Sequence, residues 1–142
     1  MKKAVGISLL VIALSMILTG CLMDLLLPKL SATATITKVE ETLIDALKIS
    51  YKITNTGDLN IDYYQIYFTG KLPDGSTVLD WTNGLDVSLG TTRADVMYFY
   101  TGGLDVQEVA ITKIILKNYA HDREVTINPT PQWVPVPYNA EE

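Results

Sequence analysis

The chain has 142 residues, 11 basic and 16 acidic side chains, a net charge of −5, one cysteine and one histidine. That length holds one domain of ordinary size. The acidic balance excludes a duplex nucleic-acid binder, which needs a basic face against phosphate, and the single cysteine excludes an internal disulfide or a multi-cysteine zinc site.

The chain opens with Met1-Lys2-Lys3, followed by fifteen uncharged residues from Ala4 to Leu18 and then Leu18-Thr19-Gly20-Cys21. A short positive start, a short apolar run and small residues at its end are the layout of a secretory signal. The last four residues resemble the lipobox of bacterial lipoproteins. The resemblance implies that the Cys21 thiol takes a diacylglycerol and that the peptide bond before it is cut. Residues 1–20 are then a signal peptide and 21–31 a lipidated tether. Two or more acyl chains hold a protein stably where one does not, at ~0.8 kcal/mol for each buried methylene. Loss of the first twenty residues, which carry Lys2 and Lys3 and no acid, takes the net charge to −7. Leu22-Met23-Asp24-Leu25-Leu26-Leu27 keeps an alternative open. Read through from Ala4 to Leu27, the segment meets the ~20 residues a bilayer span needs, giving an uncleaved single-pass anchor. Either way the domain sits outside the cytoplasm, held at the cell membrane or, for the lipidated form, the outer membrane. Its lipid anchor makes the membrane its first partner.

From residue 32 on, the pattern is that of short strands. From Cys21 to the end, 46 residues are Val, Ile, Thr, Tyr, Phe or Trp, which suit a pleated, half-buried surface. Ala32 to Lys38 is a first strand, and Glu40-Glu41-Thr42 a turn. Ala46 to Asn55 is the clearest, with Leu47, Ile49, Tyr51 and Ile53 alternating against Lys48, Ser50, Lys52 and Thr54. Asn55-Thr56-Gly57-Asp58 turns the chain into Ile61 to Gly70. Pro73-Asp74-Gly75 then makes a hairpin with Thr77 to Trp81. Asn83-Gly84 turns again, giving a short strand from Leu85 to Leu89, and Gly90 reverses the chain into Thr91 to Tyr100. Gly102-Gly103 ends that strand. Val109 to Lys117 follows with competing registers, Ile111 and Ile115 against Ile114 and Leu116, so that a bulge or burial on both faces is expected. Glu124 to Ile127 closes the set. Seven to eight strands with regular turn signals predict an all-β fold, an immunoglobulin-like antiparallel sandwich over residues 32–127.

Ile49-Ser-Tyr-Lys-Ile-Thr-Asn-Thr-Gly57, Tyr64-Gln-Ile-Tyr-Phe-Thr-Gly-Lys-Leu-Pro-Asp-Gly75 and a later Leu-x-x-Gly90 resemble immunoglobulin-like modules of prokaryotic envelope proteins: the FxLYD modules, the CARDB modules and the water-stress domains of late-embryogenesis-abundant proteins. The resemblance implies fold and location, and brings no catalytic residue with it.

The tail, 128–142, holds four prolines between Asn128 and Tyr138, which biases it to an extended, polyproline-II-like path. It is expected to lie along the sandwich with Trp133 packing in a groove or covering a sheet edge. A recognition segment for an aromatic-lined partner and plain disorder are the alternatives.

No constellation predicts chemistry. Asp58-x-Asn60-x-Asp62 opens like a calcium loop, but Tyr63 and Thr69 stand where glycine and a bidentate glutamate are needed, so no metal is assigned. Ser76 follows Gly75 without a base, and His121 lies in a polar turn. An enzyme would need Asp80, Asp86 and Asp95 in one cleft. No catalytic residue and no cofactor are expected. Among the tyrosines, Tyr64 shares a face with Ile66 and Phe68, leaving Tyr63 and Tyr67 outward. These two can stack on sugar or pack against a partner, or else lie under the tail or in a dimer contact. The expectation is a non-catalytic envelope lipoprotein that meets an unidentified envelope protein or wall component through Tyr63, Tyr67 and Trp133. The alternative is a carrier that holds a lipid or other apolar ligand between the sheets.

Overall fold

The computed structural model describes residues 27–137. The expected signal and most of the tether, Cys21 included, lie outside the described residues, as do the last five of the tail. Every regular element in that range is a strand: β1 (Ala32–Glu41), β2 (Ala46–Asn55), β3 (Ile61–Lys71), β4 (Thr77–Val87), β5 (Thr92–Tyr100), β6 (Glu108–Asn118), β7 (Arg123–Ile127) and β8 (Val134–Pro135). They form two antiparallel sheets, β1-β2-β5 and β4-β3-β6-β7, with β8 beside β7 on the same edge of β6. Three tight connections stay within a sheet (β1–β2, β3–β4, β6–β7), and the chain changes sheet after β2, β4 and β5.

The alternation seen in the sequence sets the two inner faces. Leu47, Ile49, Tyr51 and Ile53 of β2 meet Tyr64, Ile66 and Phe68 of β3 in the core, with Phe99, Val109 and Leu116. The Tyr51 and Phe68 rings pack edge to face with centroids 5.5 Å apart, an arrangement favoured by the aromatic quadrupole. Both competing registers of β6 are partly right. Tyr67 pairs with Lys113 but Phe68 with Ile111, so Thr112 is an extra residue. The bulge turns Val109 and Ile111 inward before it and Ile114 and Leu116 inward after it, while Ile115 faces out.

Two expectations need correction. Asn83-Gly84 is not a turn: β4 runs unbroken from Thr77 to Val87, and Gly84 is the cross-strand partner of Tyr64. Its missing side chain is what the neighbouring phenol requires, since a Cβ at Gly84 would stand 2.7 Å from Tyr64 Cε1 and closer still to Cζ and Oη. The first turn also comes later than expected. β1 continues through Glu41, and the reversal is made by Thr42 to Asp45, where Thr42 Oγ1 donates to the Ala46 carbonyl and Asp45 takes a positive φ. The tail follows its expected course along the sandwich and gains a short ladder: Val134 and Pro135 pair with Val109 and Glu108, and Val136 is buried.

The hydroxyls of Tyr51 and Tyr64 face each other at 3.4 Å inside the core. Burial pushes both phenols above the usual tyrosine range, and for Tyr51 the Tyr64 hydroxyl adds to the shift. A phenol raised in the folded state favours folding fully below its unfolded pKa of about 10, and that contribution is lost as pH rises further. Alkaline titration followed by tyrosinate absorbance should therefore leave these two phenols silent until the domain unfolds, and Tyr51→Phe should move the unfolding midpoint to higher pH.

Candidate functional site

The outward residues of β3 and β4 form one surface because antiparallel partners share a face. Tyr63 pairs with Leu85, Tyr67 with Trp81, and Thr69 with Leu79. Leu79, Trp81 and Leu85 are 63%, 49% and 54% exposed, and Tyr63 and Tyr67 are half-buried among them. On the other flank of β3, Tyr63 pairs with Lys117 and Tyr67 with Lys113. The Lys113 ammonium stands 3.8 Å from the centre of the Tyr67 ring, and that of Lys117 5.9 Å from the centre of Tyr63. At the far end of β3, Lys71 lies 5.6 Å over Trp133. All three residues expected to meet a partner thus belong to one sheet face, and the tail adds to that face at its rim.

The surface is built to stay where it is. Lys71 and Lys117 are held by Glu108 and Glu124 at 3.4 and 2.9 Å. Among the described ion pairs Lys113 has no carboxylate, so its charge rests on the Tyr67 ring alone. Such cation–π contacts are worth ~0.5–1 kcal/mol at exposed sites. Aromatic side chains flanked by lysines offer apolar contact area next to positive charge.

Trp81, Leu79 and Leu85 are missing from the expected site. The alternation of Leu79 and Trp81 lies within the expected strand from Thr77 to Trp81, and Leu85 joins the same row once Asn83-Gly84 is read as strand.

Most of the polar residues tested for chemistry hold hydrogen bonds within the fold. Asp58 Oδ2 accepts the Lys29 N–H, Asn60 Oδ1 the Leu89 N–H and Asp62 Oδ2 the Tyr119 N–H. The calcium-like spacing therefore staples three separate segments at one end of the sandwich, and no group of three possible metal ligands exists among the described residues. Asp80 and Asp95 point inward from the neighbouring free edges of β4 and β5. Asp80 accepts N–H groups of Trp81 and Tyr100, and Asp95 accepts that of Val96 while pairing with Arg93, which in turn donates to the Leu85 carbonyl. Inward charge of this kind keeps sheet edges from pairing with other chains. Asp86 is exposed at the end of β4, about 20 Å along the strand from Asp80 at ~3.4 Å per residue, so the three acids share no cleft. Ser76 donates to Asp74 within its hairpin turn, and the His121 ring sits 2.8 Å from Asn118 Oδ1.

Two asparagines close the same end of the fold. Buried Asn55 donates to the carbonyls of Leu59 and Val87 and accepts the Gly57 N–H, while Asn118 donates to the Asn60 carbonyl. The segment before β1 is locked to this end: the Asp58 N–H donates to Lys29 and the Thr56 N–H to Ser31. A Cβ on Gly57 would stand 2.7 Å from the Ser31 nitrogen and nearer the Lys29 oxygen.

No family model matches the chain, and no curated protein matches its sequence.

Proposed function

We propose that this protein is a non-catalytic binding module of the cell envelope, held outside the cytoplasm by a lipid on Cys21, with an immunoglobulin-like sandwich that engages a partner through the outer face of β3 and β4. The observation that carries the reading is the outer face of β3 and β4, where exposed Leu79, Trp81 and Leu85 stand beside half-buried Tyr63 and Tyr67, an aromatic and apolar surface crossed by the polar pair Gln65–Asn83 on an otherwise acidic chain. The immunoglobulin-like assignment is supported by the order β1-β2-β5 facing β4-β3-β6-β7 with its changes of sheet after β2, β4 and β5. The non-catalytic reading is supported by the use of Asp58, Asp62, Asp80 and Asp95 as acceptors for backbone N–H groups.

The test has two arms. Mass spectrometry of the native amino terminus should find acyl and glyceryl mass on Cys21 with residues 1–20 removed. An intact Met1 on a membrane-inserted chain would instead give the single-pass form, and an unmodified cytosolic chain would end the proposal. Photocrosslinking from position 79, on the same outer face and 63% exposed, in whole cells should capture one dominant envelope component. Tyr63→Ser combined with Tyr67→Ser and Trp81→Ser should weaken that capture at least about thirtyfold, the equivalent of losing a single ~2 kcal/mol anchor. Unchanged capture would remove this face from the binding surface.

A further inference from the structure

The two layers of the sandwich differ in width. One has four positions across (β4, β3, β6 and β7) and the other has three (β5, β2 and β1). β1 lies against β6 and β8, so the position beside β1 and over β7 holds no strand among the described residues. A groove of about 400 Å³ is found there, walled by the consecutive residues Ala32 to Ile36, floored by Ile111, Ile114, Ile127 and Val134, and also lined by Pro129, Thr130 and Gln132 of the tail. Ile127 and Val134 are only partly buried, although they pack on the core.

The wall has a definite hydrogen-bonding phase. The Thr56 N–H donates to the Ser31 carbonyl at 3.0 Å, which makes Ser31 and Thr56 a bonded pair. With partners Thr33↔Thr54 and Thr35↔Lys52, the alternation of an antiparallel ladder turns the backbone of Ser31, Thr33 and Thr35 toward β2. Ala32, Ala34 and Ile36 then turn their N–H and C=O groups toward the groove, where they meet no partner among the described residues. This edge also lacks the guards found elsewhere. β4 and β5 carry Asp80, Arg93 and Asp95 at their free edges. Ala32-Thr33-Ala34-Thr35-Ile36 has no charge, no proline and no bulge, and the bulge and Lys38 come only after it. An open uncharged edge is a template for another strand.

Hydrogen-bonding complementarity decides what fits. The groove presents no formal charge, but along one wall it presents a row of peptide dipoles and along the floor branched apolar side chains. An acyl chain matches the floor and leaves the dipoles buried without partners, so it fits half of the site. An extended peptide matches both. We propose that the free edge of β1 is a strand-addition site. It takes an uncharged extended segment of a partner protein, about five residues long, that bonds the backbone of Ala32, Ala34 and Ile36 and sets alternate small or β-branched side chains on Ile111, Ile127 and Val134. This site is distinct from the β3–β4 face.

The test uses full-length protein in lipid nanodiscs and the peptide Lys-Val-Thr-Val-Thr-Val-Lys as probe. At a peptide concentration ten times its dissociation constant, amide exchange at Ala32, Ala34 and Ile36 should slow about tenfold. The same peptide N-methylated at alternate residues, which removes its donors and leaves the protein untouched, should give no protection. Ala34→Pro deletes one groove-facing N–H and no β1–β2 bond, a substitution a strand edge tolerates, and should weaken binding at least about tenfold without changing the circular dichroism. Absent protection at these three amides would overturn the proposal. So would protection by the N-methylated peptide, laurate filling the groove equally well in wild type and Ala34→Pro, or a β1-dependent dimer that the peptide does not compete away.

Discussion

Gly84→Ala should cost the domain about 3 kcal/mol, read as a fall in melting temperature on the order of 12 °C or more. The new methyl group enters space held by the Tyr64 phenol. Tyr64 is fully buried, and its hydroxyl is already against that of Tyr51, so the ring has nowhere to turn without displacing a second aromatic residue. A surface glycine in a strand interior ordinarily gains from alanine, because the unfolded chain loses freedom. The sign is reversed here by the ring alone. Tyr64→Leu, which shortens the side chain, should therefore recover part of the loss. In a double-mutant cycle the pair should cost ~1–2 kcal/mol less than the sum of the single changes. Additive effects in thermal or urea unfolding would show that Gly84 is not there to make room for Tyr64.

Asn55→Ala should be of similar size, also about 3 kcal/mol, for a different reason. The substitution leaves the Leu59 and Val87 carbonyls and the Gly57 N–H without partners at a buried position. Asn55→Asp keeps the shape and the Gly57 bond, but it sets an anion against two carbonyl oxygens. That variant should be the worse of the two at pH 7. Its new carboxyl titrates above the ordinary range in the folded state, so the penalty is present at high pH and lessens as pH falls toward ~4, where a protonated carboxyl can donate again. Urea midpoints of wild type and both variants at pH 7 and pH 4.5 would read this directly. An Asn55→Asp penalty independent of pH would mean that the side chain does not bridge the two carbonyls.

The strands were legible because their alternation is local: Leu47 to Ile53 and Tyr64 to Phe68 state their inner face within a few residues. What was illegible depends on a neighbour in space. Asn83-Gly84 carries strong turn chemistry, and only the ring of Tyr64 on the adjacent strand explains a glycine inside β4. Leu79 and Trp81 fall within the strand expected from Thr77 to Trp81; reading Asn83-Gly84 as a turn separates only Leu85 from that row. Asp80 and Asp95 look like any acids in a sequence. Their work at the sheet edges exists only once β4 and β5 stand side by side. The outward placement of Tyr63 and Tyr67 is legible because a strand with an obvious inner face has an obvious outer one.

The lock between residues 29–31 and the turn after β2 has a mechanical consequence. Tension applied to the chain ahead of Leu27 reaches the paired backbone of Lys29, Ser31, Thr56 and Asp58 before it reaches any strand of the sandwich. Gly57 lets the two backbones approach closely enough for those bonds to form. A pull from that side is thus met by a short bonded seam, and the domain behind it should swing as a rigid body instead of peeling open along β1.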